Sequence, residues 1–243
     1  MRTILSIVFI LLFLPSCAST SQLGSKDRKQ LMLVSENSWH SNATKAYEKN
    51  LKQAKSKNVL VIDKRLEKII QKLIPSTDFY RLGASHWDWQ IRAQLNGDMN
   101  AYGFASGKIL INTGLYWHLN LNDDELAFVI AHEMAHALRD HSREKMSASL
   151  LFGSLPTYAR YGVSQVWLHE QEADLIALDL MSKANFKPEA ALSFWQKYDL
   201  ESERRRNLKT AQTLMSKDLL QYRIDAIQTF LTQTQNQPLI QLS

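Results

Sequence analysis

Ala131-His132-Glu133-Met134-Ala135-His136 is the stretch on which the fold turns. It is an H-E-x-x-H pattern, and its chemistry needs a helix. Positions four apart lie one turn apart on the same helical face, so the imidazoles of His132 and His136 can meet one metal ion. Glu133 stands about 100° further round. It misses the ion but can reach a water bound to it, take a proton as general base and deliver it to a leaving amine as general acid. Zinc accepts imidazole nitrogen and lowers the pKa of bound water to about 7, so one Zn2+ per chain is expected. The surroundings predict the helix as well. Asn122 is a good N-cap with Glu125 three residues on, as in a capping box. Asp123 and Asp124 suit the positive end of the helix dipole. Leu126, Val129, Ile130 and Ala137 make a mostly apolar, buried helix expected to run to about His141. Two histidines and a glutamate buried there without a metal would leave polar groups seeking partners.

A catalytic zinc takes three protein ligands and keeps one position open. Candidates for the third lie in His169-Glu170-Gln171-Glu172-Ala173-Asp174, within a helix expected over Trp167 to Lys183. Glu170 and Asp174 share a face, and Glu172 points to the opposite side. One geometry has Glu170 on the metal and Asp174 behind it, accepting from a ligand imidazole N–H. Spacing alone leaves Glu172 and His169 in contention. His141 falls a turn and a residue past His136, so it is expected to face away from the metal and close the helix end. His40, His86 and His118 read as surface or loop histidines, and Trp87, Trp89 and Trp195 as core or sheet-face residues.

Working outward, Asn42 to Lys57 suits a polar helix. Asp63 can cap a second one that carries Leu66, Ile69, Ile70 and Leu73 on one face and closes at Pro75. Residues 87–95 alternate like a half-buried strand. Asn96-Gly97-Asp98 is turn chemistry. Asn100 to Phe104 and Lys108 to Asn112 follow as strands, and Gly114 ends the sheet. Residues 146–163, with Gly153, Pro156 and Gly162, suggest a loop with partial helix, placed where a lid could lie. Pro188 fits the first turn of a helix to about Tyr198, and Asp218 with Gln221 the cap of a last helix ending near Leu231. The order gives an α+β plan, mostly helical, with one small antiparallel or mixed sheet beside the motif helix.

The 243-residue chain has 45% hydrophobic and 22% charged residues, a globular balance with enough length for one domain. Its formal net charge of +5 is mild. No basic stripe interleaves with aromatics, which argues against nucleic acid. Met1-Arg2 followed by the apolar run Ile4–Leu14 reads as a secretory signal over residues 1–16, too short to span a bilayer. Leu14-Pro15-Ser16-Cys17 is similar to a bacterial lipobox, which makes Cys17, the single cysteine, an acylation site; one cysteine cannot form an internal disulfide. Residues 17–40 then form a lipid-anchored tether rich in Ser, Lys, Gln and Asn, and 41–243 the catalytic domain. Ala18 after the cysteine, where Asp would favour inner-membrane retention, leans toward the outer membrane.

These motifs resemble those of the zincin-like metallopeptidase family that includes CAAX prenyl proteases, the HtpX heat-shock proteases and periplasmic lipoprotein members such as LoiP and YcaL. In that family H-E-x-x-H is followed by E-x-x-x-D on a later helix, which Glu170-Gln171-Glu172-Ala173-Asp174 matches. The resemblance implies Glu170 as third zinc ligand. Asn100-Ala101-Tyr102 and Gly107 to Leu115 resemble the family's Asn-Ala-Phe segment and the strand leading to Gly-Leu. That likeness implies a substrate-pairing edge strand drawing on Asn100, Ala101, Lys108, Ile109 and Leu110. The likeness runs from about Asp63 to Ile227. Two places depart from it: Val166-Trp167 stands where Ser-Arg is common, and Lys217-Asp218 where many periplasmic members have His-Pro. Arg223 keeps the family's Arg, either stabilising an oxyanion or pinning the last helix to a carboxylate such as Asp174. The expected activity is a zinc endopeptidase acting on misfolded or misassembled envelope proteins, outer-membrane anchored and facing the periplasm. An envelope assembly factor that binds clients at its sheet edge, with a structural or gated metal, is the alternative, and assembly machinery a possible partner.

Overall fold

The computed structural model describes residues 20–21, 28–153, 158–207 and 215–236. The expected signal segment and Cys17 lie outside them. After a two-residue ladder of β1 (Thr20–Ser21) with β2 (Arg28–Lys29), α1 (Glu36–Ser56) starts at an N-cap Ser35. The fold therefore begins earlier than the expected boundary at 41. Gln30 and Met32 are buried, and the Gln30 amide donates to the Arg139 carbonyl at 2.8 Å and to Glu144 at 2.9 Å. Polar composition suggested a tether here, but a polar side chain that finds buried partners can dock as firmly as an apolar one.

β3 (Leu60–Val61) leads into α2 (Lys64–Leu73), where the Asp63 side chain caps the Arg65 amide as expected and Leu66, Ile69, Ile70 and Leu73 are buried. The chain continues through Ile74–Phe79 and Ala84–His86 as 3-10 turns to β4 (Gln90–Gln94), β5 (Ala101–Phe104) and β6 (Lys108–Asn112). These strands form one mixed sheet in the order β3-β4-β6-β5. β4 and β6 run parallel, with Ile91 opposite Ile109; β5 and β6 run antiparallel, with Ala101 opposite Ile111. β6 is thus an inner strand with every residue buried. This corrects the expected role of Lys108, Ile109 and Leu110: their backbone groups are spent on neighbours at both sides. Among the described residues the sheet edge on that side belongs to β5, which keeps Ala101, with Asn100 just before it. The sheet stops at Asn112, and α3 (Thr113–His118) follows at once. Gly114 there lies against the Gly97 backbone, where a Cβ would stand 2.4 Å from its carbonyl.

α4 (Asp123–Leu138) carries the motif. Its capping box is complete, with Asn122 and Glu125 each bonding the other's backbone. Apolar residues around its circumference are buried by the sheet, α2 and the later helices. The helix ends at Leu138 rather than near His141, because Asp140 takes a left-handed conformation (φ 52°) that short polar residues tolerate. The chain turns there into α5 (His141–Phe152). α6 (Tyr158–Lys183) begins nine residues before the expected Trp167 start, so the region that suggested a loop is helical on both sides of residues 154–157. α7 (Ala190–Asn207) and α8 (Lys217–Asn236) both run past their expected ends, and Ser216, not Asp218, caps α8 through the Leu219 amide. α6 packs along α4 and α8 packs along α6, which brings three helices to one point. Among the described residues no helix is long and apolar enough to cross a membrane.

Candidate metal centre

His132 and His136 project from one face of α4, and their Nε2 atoms stand 3.0 Å apart. From α6, Glu170 brings Oε2 to 3.4 Å from His132 Nε2 and Oε1 to 3.5 Å from His136 Nε2. All three ligand atoms lie within 4.8 Å of one another. Zinc bonds of about 2.1 Å in a tetrahedron set ligand atoms about 3.4 Å apart, so the spacing fits that ion. Chemistry fits too: two nitrogens and one carboxylate are a catalytic zinc set with a position left over. His169 is not part of it; its Nε2 pairs with Glu144 at 3.1 Å.

Each imidazole has its far nitrogen taken up. His132 Nδ1 lies 2.9 Å from Asp174 Oδ1, the position expected for that carboxylate. His136 Nδ1 lies 2.9 Å from His141 Nδ1, and His141 Nε2 is 3.2 Å from Glu172 Oε2. This overturns the expectation that His141 faces away. Five residues on a continuous helix would place it about 140° round, but the Asp140 turn brings the ring back beneath His136. Glu172, also expected to point away, is reached because α5 packs on that side of α6. A histidine five residues past the motif, with a polar Arg139-Asp140 joint between, was the available signal.

Arg223 reaches in from α8, 2% exposed. Its Nε and Nη2 donate to the two Asp174 oxygens, each at 2.6 Å, its Nη1 donates to Glu170 Oε2 at 2.7 Å, and its guanidinium lies 4.3 Å above the Trp195 ring. These contacts describe the pinning role, extended to Glu170, and Arg223 also lines the cleft. Lys217, in the place of the family's histidine, is exposed and pairs with Glu203 across 2.5 Å. Val166 lines the cleft, and Trp167 packs on Tyr222.

Charge follows from these contacts. Burial pushes the Glu170 carboxyl up, but His132 and Arg223 outweigh it and hold it well below the usual carboxylate range. Burial and Arg223 push the His132 imidazolium down, but Asp174 and Glu170 prevail and hold its pKa up at about 9. Burial, with His132 and His141 nearby, lowers that of His136 well below its ordinary value. Burial also raises the Glu133 carboxyl, which suits a group that must both take and return a proton.

A cleft of about 660 Å³ opens over these groups, walled by residues 100–105 on one side and Trp195 and Tyr198 on the other. β5 presses close to Glu133: a Cβ on Gly103 would stand 2.8 Å from the Glu133 carbonyl oxygen and 2.9 Å from its Oε2.

Residues 62–169 match Peptidase family M48. That span holds His132, Glu133 and His136 and stops one residue short of Glu170, so the third ligand stands on the geometry above. The mitochondrial metalloendopeptidase OMA1 of Saccharomyces cerevisiae is 26% identical over 155 residues, 55% of this chain and 45% of the relative. Its Schizosaccharomyces pombe counterpart is 33% identical over 134 residues, 48% and 40% of the two chains. The beta-barrel assembly-enhancing protease of Escherichia coli (strain K12) is 26% identical over 129 residues, 42% and 26%. The chain thus spans less than half the length of the curated relatives it matches. In its motif helix and in the matched segment, which covers less than half of it, the chain is similar to Peptidase family M48, the HExxH-type zinc metalloendopeptidases.

Proposed function

We propose that the chain is a zinc-dependent endopeptidase of the cell envelope. It hydrolyses peptide bonds of misfolded or misassembled envelope proteins from the periplasmic face of the outer membrane, where Cys17 anchors it by lipid. The observation that carries the catalytic part is the convergence of His132, His136 and Glu170 within 4.8 Å, with Glu133 beside them under a sheet edge. A bound zinc supplies the Lewis acid that makes water nucleophilic near neutral pH. The chain does the rest. β5 offers backbone groups that hold an extended substrate in line with the site. Glu133 takes the proton of the attacking water and returns it to the amine nitrogen that leaves. Arg223 keeps Glu170 and Asp174 in place, and the apolar cleft wall limits competing water.

Glu133→Gln tests this. The variant is expected to keep stoichiometric zinc and lose proteolysis of casein by roughly 10²–10⁴-fold. Wild-type cleavage rates in the variant would overturn the base assignment. The same variant separates proteolysis from client binding: full rescue of a deletion strain by Glu133→Gln would favour the assembly-factor reading, which the name of the Escherichia coli relative keeps in view. Cys17→Ser is expected to move the chain from the membrane to the soluble fraction. Continued membrane pelleting would overturn the lipid anchor.

A further inference from the structure

We propose that His141 and Glu172 are positioning residues for the metal, fixing the tautomer of His136 through a buried two-step hydrogen-bond relay. The inference rests on the metal-centre reading above and goes beyond it to residues outside the H-E-x-x-H and E-x-x-x-D patterns.

The relay has a direction because its far end is a carboxylate. An ionised carboxylate only accepts hydrogen bonds. Glu172 Oε1 takes the Arg139 Nε hydrogen at 2.9 Å, and Oε2 faces His141 Nε2 at 3.2 Å. His141 must therefore carry its proton on Nε2. A neutral imidazole protonated there has a bare Nδ1 that accepts. The group 2.9 Å from that atom is His136 Nδ1, which must then be the donor. With its proton on Nδ1, His136 presents an unprotonated Nε2 toward His132 and Glu170, the form a metal requires. The opposite tautomer at His141 would set two lone pairs against each other at Glu172 and place a proton on the metal-facing nitrogen of His136. His141 is 3% exposed and cannot turn freely. Its ring stacks on His169 with centroids 4.3 Å apart and planes 7° apart, and this fixes the plane in which the relay works.

Two measurements on the full chain test the relay. In the first, zinc affinity is read by competition with a chelator for wild type, His141→Phe and His141→Gln. Phe keeps the ring and its stacking but has no polar atom; Gln has an acceptor and a donor set about as far apart as the two ring nitrogens. The relay predicts a 10–100-fold loss of zinc affinity for Phe and a substantial recovery for Gln. A purely packing role for His141 predicts the reverse order. Phe binding zinc as tightly as wild type would overturn the proposal. The second measurement covers a Phe variant that does not fold. Long-range proton–nitrogen NMR of the histidine-labelled wild type should show His141 protonated on Nε2 and His136 on Nδ1, with zinc or without it. His141 protonated on Nδ1 would overturn the relay. A wild type that takes up no zinc but shows these tautomers would instead fail the metal-centre reading, so the two failures are distinguishable.

Discussion

The two motif histidines sit four residues apart on one helix, yet they are held by unlike surroundings. On the His132 flank, α6 and α8 supply a buried ion pair. Asp174 is fully buried and Arg223 nearly so, and they meet through two hydrogen bonds of 2.6 Å. On the His136 flank, beyond the metal-facing nitrogen, Nδ1 meets the His141 ring, and the Glu172 carboxylate comes only after it. In the absence of metal, the carboxylates of the first arrangement hold the His132 pKa up at about 9, and the second drives that of His136 well down. A repeated ligand type in sequence therefore does not imply a repeated environment. The His132 flank ties three helices together by charge, so it should answer for folding. The His136 flank orients a ring by hydrogen bonds, so it should answer chiefly for metal affinity.

The sharpest way to break this contrast is Asp174→Ala. Removing one partner of a buried pair leaves the other charge uncompensated, at a cost of roughly 3–5 kcal/mol. The loss should appear in denaturant unfolding of the chelator-treated chain, because it does not depend on metal. Glu172→Ala leaves Arg139 with Gln30 still beside it at 3.3 Å and should cost clearly less. Equal losses would mean that the flanks do not divide the work. Zinc removal is next in size. At a hundredfold excess over its Kd, zinc bound only to the folded chain adds about 2.7 kcal/mol. That increment should be present in the wild type and absent from Glu170→Ala in thermal melts with and without chelator. An undiminished increment in the variant would remove Glu170 from the ligand set.

What could be read from the sequence divides along similar lines. The α4 capping box, the Asp63 cap and the apolar face of α2 are local, written within a few residues of one another, and the structure has them as expected. The order of strands is not local. Alternation marks β4, β5 and β6 as strands, but nothing in it says that β4 and β6 pair in parallel and leave β5 outermost, so Lys108, Ile109 and Leu110 were assigned to the wrong position in the sheet. The His136 flank was misread for a related reason. Helical periodicity places His141 and Glu172 away from the site, and it holds only while the helix continues. One residue in the left-handed region, Asp140, cancels it. Glu170 was recoverable because the carboxylate and Asp174 share a face and a family pattern. Gln30 was not, since a short polar stretch looks the same whether solvated or docked.

Asp140 offers the finest test of the comparison, because it sets the turn that delivers His141. Burial pushes its carboxyl up, but His40, Arg81 and Arg143 outweigh this and lower its pKa from 3.8 to about 2. Arg143 Nη1 stands at 2.9 Å, Arg81 Nη1 at 3.0 Å and His40 Nε2 at 3.4 Å. A carboxyl whose pKa is depressed on folding stabilises the folded chain fully above its unfolded value, and that contribution is lost as pH falls through the folded value. The shift is worth about 2 kcal/mol. Asp140→Asn keeps a residue that tolerates the left-handed turn and removes only the charge. Its stability deficit against wild type should therefore be about 2 kcal/mol at pH 7, begin to shrink below about pH 4 and approach zero only below about pH 2. Zinc affinity should follow the integrity of the turn rather than the charge, and so change little at pH 7. A deficit that stays constant with pH would trace the effect to the backbone, and a large loss of zinc affinity at pH 7 would show that the charge cluster itself holds His141 under His136.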